Sequence, residues 1–139
     1  MNIGIIPCNN GLGHITRSVK LANLLIQKYN VTLYLSQKKI KLQINRKIII
    51  QTINNNFNLS ANQNYNVNWY REIDKKKIYN IDLLISDNLP EITLLNKNVF
   101  IYANFFWHEI FRKQNNFFKN LKKIIIKKKT KIIFNYLFG

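Results

Sequence analysis

Proton-transfer chemistry near neutral pH has few candidate carriers in this chain. It holds two histidines and only six carboxylates against 22 lysines and arginines. One histidine, His14, lies in the run Ile3-Gly4-Ile5-Ile6-Pro7-Cys8-Asn9-Asn10-Gly11-Leu12-Gly13-His14-Ile15-Thr16-Arg17. An imidazole is the side chain that can both take and give a proton in this range. Gly11 and Gly13 carry no Cβ, so the backbone can turn sharply and come close to a ligand. A helix opening at Leu12 to Ile15 aims unpaired N–H groups and the positive end of its dipole at whatever lies above the turn. That is a place for phosphate or another anion, and Arg17 adds a full positive charge one turn further in. A second polar group, Asp87, closes the apolar run Ile81-Asp82-Leu83-Leu84-Ile85-Ser86.

These groups need elements to hold them. Ile3 to Ile6 reads as a buried parallel strand, β-structure over residues 2–7. Ile15, Val19, Ala22, Leu25, Ile26 and Tyr29 then recur at three- and four-residue steps, which predicts a helix near 12–29 with one apolar face. Val31-Thr32-Leu33-Tyr34-Leu35 follows as a second strand, completing a right-handed parallel βαβ unit. Residues 36–45 read as short, basic and partly helical, and Ile48-Ile49-Ile50 as a third β-branched run. Asn54 to Asn68 is Asn-rich and reads as a loop, with Trp69, Tyr70 and Ile73 in a short helix after it. Strands are expected at 81–86 and 98–103, and one more beginning at 131–137. Between the last two, Phe106, Trp107, Ile110, Phe111, Phe117, Phe118, Leu121, Ile124 and Ile125 make one stripe of a long helix over 105–126. Arg112, Lys113, Lys119, Lys122 and Lys123 lie opposite. The fold expected is a Rossmann-like three-layer α/β sandwich, a single domain with a mostly parallel sheet. In such a sheet ligands sit outside the carboxyl ends of the strands, which puts Asp87 at the same edge as His14.

Composition sets the outer bounds. The 139 residues suffice for one domain with a real core, and 47% apolar content argues against wholesale disorder. The single cysteine, Cys8, leaves no internal disulfide framework and fits a reducing compartment. No apolar run reaches the ~18 residues of a membrane span, and the N-terminus lacks a secretory signal. A cytoplasmic location is the expectation. The net charge of +16 favours polyanionic partners, nucleic acid or the anionic face of a membrane. The same excess also fits a chain crowded with Lys, Asn and Ile by compositional bias.

Several motif readings fail. A dinucleotide fingerprint needs a third glycine where Thr16 stands, and an acidic residue after the second strand, where Leu35-Ser36-Gln37-Lys38 stands. No Gly-Lys-Ser/Thr of a Walker loop occurs. His14 and His108 alone make a weak metal site.

What remains resembles a known family. Asn9-Asn10-Gly11-Leu12-Gly13-His14-Ile15-Thr16-Arg17 is similar to the Gly-x-Gly-His-x-x-Arg opening of the N-terminal domain of GT-B glycosyltransferases. The pattern is that of MurG-like and UDP-glycosyltransferase-like enzymes and of plant arabinose kinases. Ile85-Ser86-Asp87-Asn88-Leu89-Pro90 resembles their strand-then-Asp segment, and Ala103-Asn104-Phe105-Phe106-Trp107-His108-Glu109-Ile110 their Ser/Thr-Asn-Phe-Ser-Trp segment. The resemblance implies His14 as a base for an acceptor hydroxyl, oriented by Asp87. It implies Gly11, Gly13, Thr16, Arg17 and Asn104 as phosphate- or acceptor-binding residues, with no metal and no bound cofactor. On the residues alone, His14 could merely line the turn and Asp87 could cap the next helix. His108 and the Phe105-Phe106-Trp107 trio read as structural.

Two Rossmann-like domains at roughly 100–200 residues each do not fit into this length. The resemblance therefore implies the acceptor-side half of a glycosyltransferase over 1–139, incomplete at its C-terminus, with the nucleotide-sugar donor held by a separate domain or chain. A cell-envelope or polysaccharide acceptor is expected. The basic, aromatic helix suits a lipid-linked acceptor at the inner face of a membrane. The alternatives are a basic nucleic-acid-binding domain and a non-catalytic remnant.

Overall fold

Ile3 and Ile5 point to one face of the first strand, and Gly4 and Ile6 to the other, because strand side chains alternate. All four are buried, so this strand needs cover on both faces, and the rest of the chain supplies it. The computed structural model describes residues 1–8, 12–36, 41–53, 69–72, 78–95, 98–103 and 115–134. The strands are β1 (Asn2–Pro7), β2 (Asn30–Leu35), β3 (Ile49–Thr52), β4 (Leu83–Asp87), β5 (Asn98–Ala103) and β6 (Lys131–Phe134). Helix α1 (Leu12–Leu25) links β1 to β2, and α2 (Asn115–Lys127) precedes β6. Short 3-10 turns lie at Trp69–Glu72 and Pro90–Leu94.

The strands form one sheet in the order β3-β2-β1-β4-β5-β6, and every neighbouring pair is parallel. This is the Rossmann-like α/β domain expected, with the parallel character complete rather than partial. One face packs Ile3, Ile5, Val31, Leu33, Leu35 and Ile85 against Ile15, Val19 and Ala22 of α1. The other packs Ile6, Tyr34, Leu84 and Ile101 against Phe118, Leu121 and Ile125 of α2 and Leu89 and Ile92 near the Pro90 turn. Burial pushes the Tyr34 phenol up to about 12.

Several boundaries differ from expectation. Helix α1 stops at Leu25, four residues early, because the chain must turn to enter β2 at Asn30 beside Asn2. Tyr29 is consequently exposed rather than on the buried face. Residues 41–45 are not helical. There the Asn23 side chain of α1 takes the Asn45 N–H at 2.9 Å and donates to the Gln43 carbonyl at 3.0 Å, binding the backbone in an irregular path. The third strand lies slightly later than the Ile48–Ile50 run, with Ile48 buried before it. Of the long basic helix, α2 is the described part. Segments 54–68, 104–114 and 135–139 lie outside the described residues, as do the aromatic trio and His108. No described helix is long and apolar enough to cross a membrane.

Gly4 has a packing role that the motif reading overlooks. A Cβ there would lie 2.8 Å from Leu84 Cδ2, 3.0 Å from Tyr34 Cε2 and 3.2 Å from Ile81 Cγ2. Both Leu84 and Tyr34 are fully buried, so neither can swing out to water. Gly4→Ala is expected to destabilise the domain by about 1–3 kcal/mol through overpacking. Thermal denaturation followed by circular dichroism checks this, and an unchanged midpoint would show that the core has room to spare.

Candidate active site

Strand parity decides which side chains can meet at the carboxyl edge of the sheet. In β4, Leu83, Ile85 and Asp87 share a face, and the first two pack into the α1-side core. Asp87 therefore emerges beneath α1, with a side chain only 4% exposed. The register sets Pro7 beside Asp87 and Asp87 beside Tyr102. In β5 the same alternation puts Tyr102 with Phe100 on the α1 face. From above, α1 presents His14, Arg17 and Ser18, which neighbour one another at three- and four-residue steps.

The backbone around Asp87 is tied on both sides. Its carbonyl accepts the Cys8 N–H at 2.9 Å, and the next N–H, of Asn88, donates to the Tyr102 carbonyl at 2.7 Å. Asn88 turns the chain with φ of 63°, a left-handed conformation that Asn tolerates better than most residues. Ser86 Oγ donates to the Leu89 carbonyl at 2.7 Å and closes the corner. The helical turn that follows has Leu89 as its N-cap, without a side-chain cap bond. Asp87 is thus not a cap; its carboxylate is turned to α1.

That carboxylate has a full set of donors. His14 Nδ1 lies 2.8 Å from Oδ1, and Arg17 Nη2 donates to the same oxygen. Arg17 Nε donates to Oδ2 at 2.5 Å, and Ser18 Oγ donates to it at 3.4 Å. Arg17 Nη2 also lies 2.7 Å from His14 Nδ1. The guanidinium carbon stands 4.7 Å from the centre of the Tyr102 ring, in cation–π range. Burial opposes the Arg17 cation, but the hydrogen bonds and charge of Asp87 outweigh it and push the guanidinium further above its ordinary range.

Of the residues singled out by the sequence, His14, Arg17 and Asp87 come together here, although His14 and Asp87 are 73 positions apart. Arg17 faces Asp87 with its fork rather than presenting it to an open anion site. Thr16 is half-buried on α1 and takes no part in the cluster. Gly13 is exposed, and a Cβ on it would meet nothing within 4 Å. Among the described residues no atom lies close enough to require glycine there. Gly11 and Asn104 lie outside the described residues. Ser18 and Tyr102 went unnoticed in the sequence; the signal for both was periodicity, four residues beyond His14 and two beyond the inward Phe100. Among the described residues no group of three His, Cys, Asp or Glu side chains is placed to hold a metal. An open groove of about 740 Å³ lies at the opposite, amino-terminal edge of the sheet, lined by Asp82, Asn98 and Lys128 to Lys131, away from His14.

The fold is that of a Rossmann-like domain, similar to the fold of GT-B glycosyltransferases. Among solved structures, Phytolacca americana UGT2, complexed with UDP-2fluoro-glucose and pterostilbene, superposes with a TM-score of 0.52 at 14% identity. The match covers 86% of this chain and 34% of UGT2, so the chain spans about a third of that protein's length. A UDP-glucosyltransferase from Polygonum tinctorium capable of glucosylating indoxyl, in complex with 3,4-dichloroaniline, matches at a TM-score of 0.49 and 14% identity over 74% of this chain and 29% of its own. No protein-family model and no curated protein sequence matches the chain.

Removing one partner of the Arg17–Asp87 pair strands a buried charge. Arg17→Met is expected to cost about 2–4 kcal/mol, somewhat under a fully buried pair because Arg17 keeps 27% exposure. The double variant Arg17→Met/Asp87→Leu should recover most of that loss. Urea unfolding measures both, and a single variant as stable as the parent would mean that water or His14 already satisfies the carboxylate.

Proposed function

We propose that this chain is the acceptor-side domain of a glycosyltransferase that moves a sugar from a nucleotide-sugar donor to an acceptor hydroxyl. The observation that carries the reading is the 2.8 Å contact between His14 and Asp87 at the carboxyl edge of a parallel sheet, where ligands of such sheets bind. With Nδ1 turned to Asp87, Nε2 is the nitrogen left for an acceptor. It takes the hydroxyl proton as the oxygen attacks the anomeric carbon and the nucleoside diphosphate departs. Asp87 orients the ring and stabilises the imidazolium formed. The amino end of α1 has no acidic residue in its first turn, so its dipole can attract the leaving phosphates; Gly11, Gly13 and Thr16 are assigned to that role, and Asn104 to acceptor binding, on the sequence resemblance. Arg17 acts from below, through Asp87.

The donor is held by a separate domain or chain. The acceptor is proposed to belong to the cell envelope or a polysaccharide, carried on an anionic lipid at the inner membrane face. Exposed Lys119, Lys122, Lys123 and Lys127 around exposed Ile126 on α2 support that placement.

The test is transfer of labelled sugar from UDP-sugars to lipid-linked and polysaccharide acceptors by this chain mixed with a glycosyltransferase donor-binding domain. His14→Ala is expected to lower transfer roughly 10²–10⁴-fold, the scale of general-base catalysis, and Asp87→Asn by a smaller factor. Transfer indifferent to His14→Ala would refute the base. Duplex binding that falls steeply with salt and ignores His14, without any transfer, would instead favour a nucleic-acid-binding domain.

A further inference from the structure

We infer that Arg17, held by Tyr102, is a positioning residue that decides which nitrogen of His14 carries the proton. The inference rests on the base reading of His14 and deepens it. Asp87 Oδ1, His14 Nδ1 and Arg17 Nη2 form a close triangle, with Nδ1 at 2.8 Å from Oδ1 and 2.7 Å from Nη2. Three groups so near each other cannot all be paired well. Nη2 has two hydrogens spread at the trigonal angle, whereas the corners of such a triangle subtend about half of it. One hydrogen aimed at Oδ1 therefore leaves the other aimed away from Nδ1.

Which partner Nη2 chooses sets the imidazole tautomer. A guanidinium has donors and no acceptor. If Nη2 donates to Nδ1, that nitrogen must be bare, and the ring proton sits on Nε2, where no base can act. If Nη2 donates to Oδ1, Nδ1 is free to carry a hydrogen and give it to the same oxygen, and Nε2 keeps its lone pair. The fork on Asp87 selects the second arrangement. Nε donates to Oδ2 at 2.5 Å while Nη2 donates to Oδ1, a two-point, charge-assisted grip. Tyr102 keeps the guanidinium there, its ring 4.7 Å from the guanidinium carbon. Tyr102 in turn is fixed by its place opposite Asp87 in the β4–β5 ladder. The charged groups facing His14 are Arg17 from α1 and Asp87 from β4; Tyr102 of β5 and Cys8 at the end of β1 face the Arg17 guanidinium.

The experiment is ¹⁵N NMR of the full chain labelled at histidine, recorded at a pH where the ring ¹⁵N shifts themselves report a neutral imidazole. Two-bond couplings report which nitrogen of His14 bears hydrogen. The parent should show Nδ1 protonated and Nε2 bare. Arg17→Lys keeps the charge and loses the fork; Tyr102→Leu keeps both charges and loses the stack. Each is expected to shift the ratio of the two tautomers toward Nε2–H by about tenfold or more, the scale of a misaligned charge-assisted hydrogen bond. Unchanged amide spectra confirm the fold, and if Arg17→Lys does not fold, Tyr102→Leu alone decides. A parent in the Nε2–H form, or variants with the parent's ratio, would overturn the inference. Because the readout needs no substrate, a correct tautomer without sugar transfer would remove the glycosyltransferase reading and leave the clamp standing.

Discussion

A carboxylate buried at the end of a central strand has to be neutralised, and much of this molecule answers that requirement. An isolated charge in such surroundings costs several kcal/mol after relaxation, so Asp87 without Arg17 would favour an open site. The fork of Arg17 meets the charge, and the helix carrying Arg17 is thereby drawn over the carboxyl edge of the sheet. Ser18 and His14 arrive on the same helical face and fill the remaining lone pairs. The site is thus a by-product of solving a burial problem, and its polar groups constrain one another. None can be repositioned without exposing a charge on another.

The sheet supports this by being buried on both faces. A parallel arrangement forces each strand's return to pass through a crossover, and here the crossover α1 is also the element bearing the polar cluster. The apolar contacts of Ile15, Val19 and Ala22 with Ile3, Ile5 and Val31 hold the helix down. The residues one step round the helix, at 14, 17 and 18, are then held over Asp87. Packing and chemistry occupy adjacent stripes of a single helix, which links the quality of the core directly to the geometry of the imidazole.

How much of this was readable beforehand differs by element. Strands β1, β2, β4 and β5 were legible because short β-branched runs bounded by turn residues allow little else, and the three- and four-residue apolar spacing in α1 named its buried face. Parallel pairing then implied that His14 and Asp87 share an edge. The helix terminus was misplaced because apolar periodicity continues to Tyr29, whereas the paired start of β2 beside Asn2 ends the helix at Leu25. The irregular path near residue 43 depends on one side chain, Asn23, reaching across from α1, a long-range contact without local sequence signal. The destination of Arg17 was hidden for a related reason. A cation near a glycine turn reads naturally as a partner for an external anion, and only the burial of Asp87 shows that an internal one claims it first. Ser18 and Tyr102 were accessible to parity arguments and were missed because neither residue type advertises chemistry.

The strand order has a further consequence for how the chain acquires this arrangement. Among the described strands β1 is made before the others, and it ends up inside the sheet with β2 on one side and β4 on the other. During synthesis from the N-terminus, β1, α1 and β2 can assemble early, since their contacts are local. One long edge of β1 must then wait, with its backbone groups unpaired, until the Asn-rich stretch and β4 have emerged. Non-local parallel pairing of this kind is slow and leaves open strand edges exposed to other chains. While it waits, Arg17 has no Asp87 to hold, so the early intermediate carries a half-formed sheet edge beside an unneutralised cation. Closing that edge of β1 and neutralising Arg17 are therefore one event, completed by the same strand, β4.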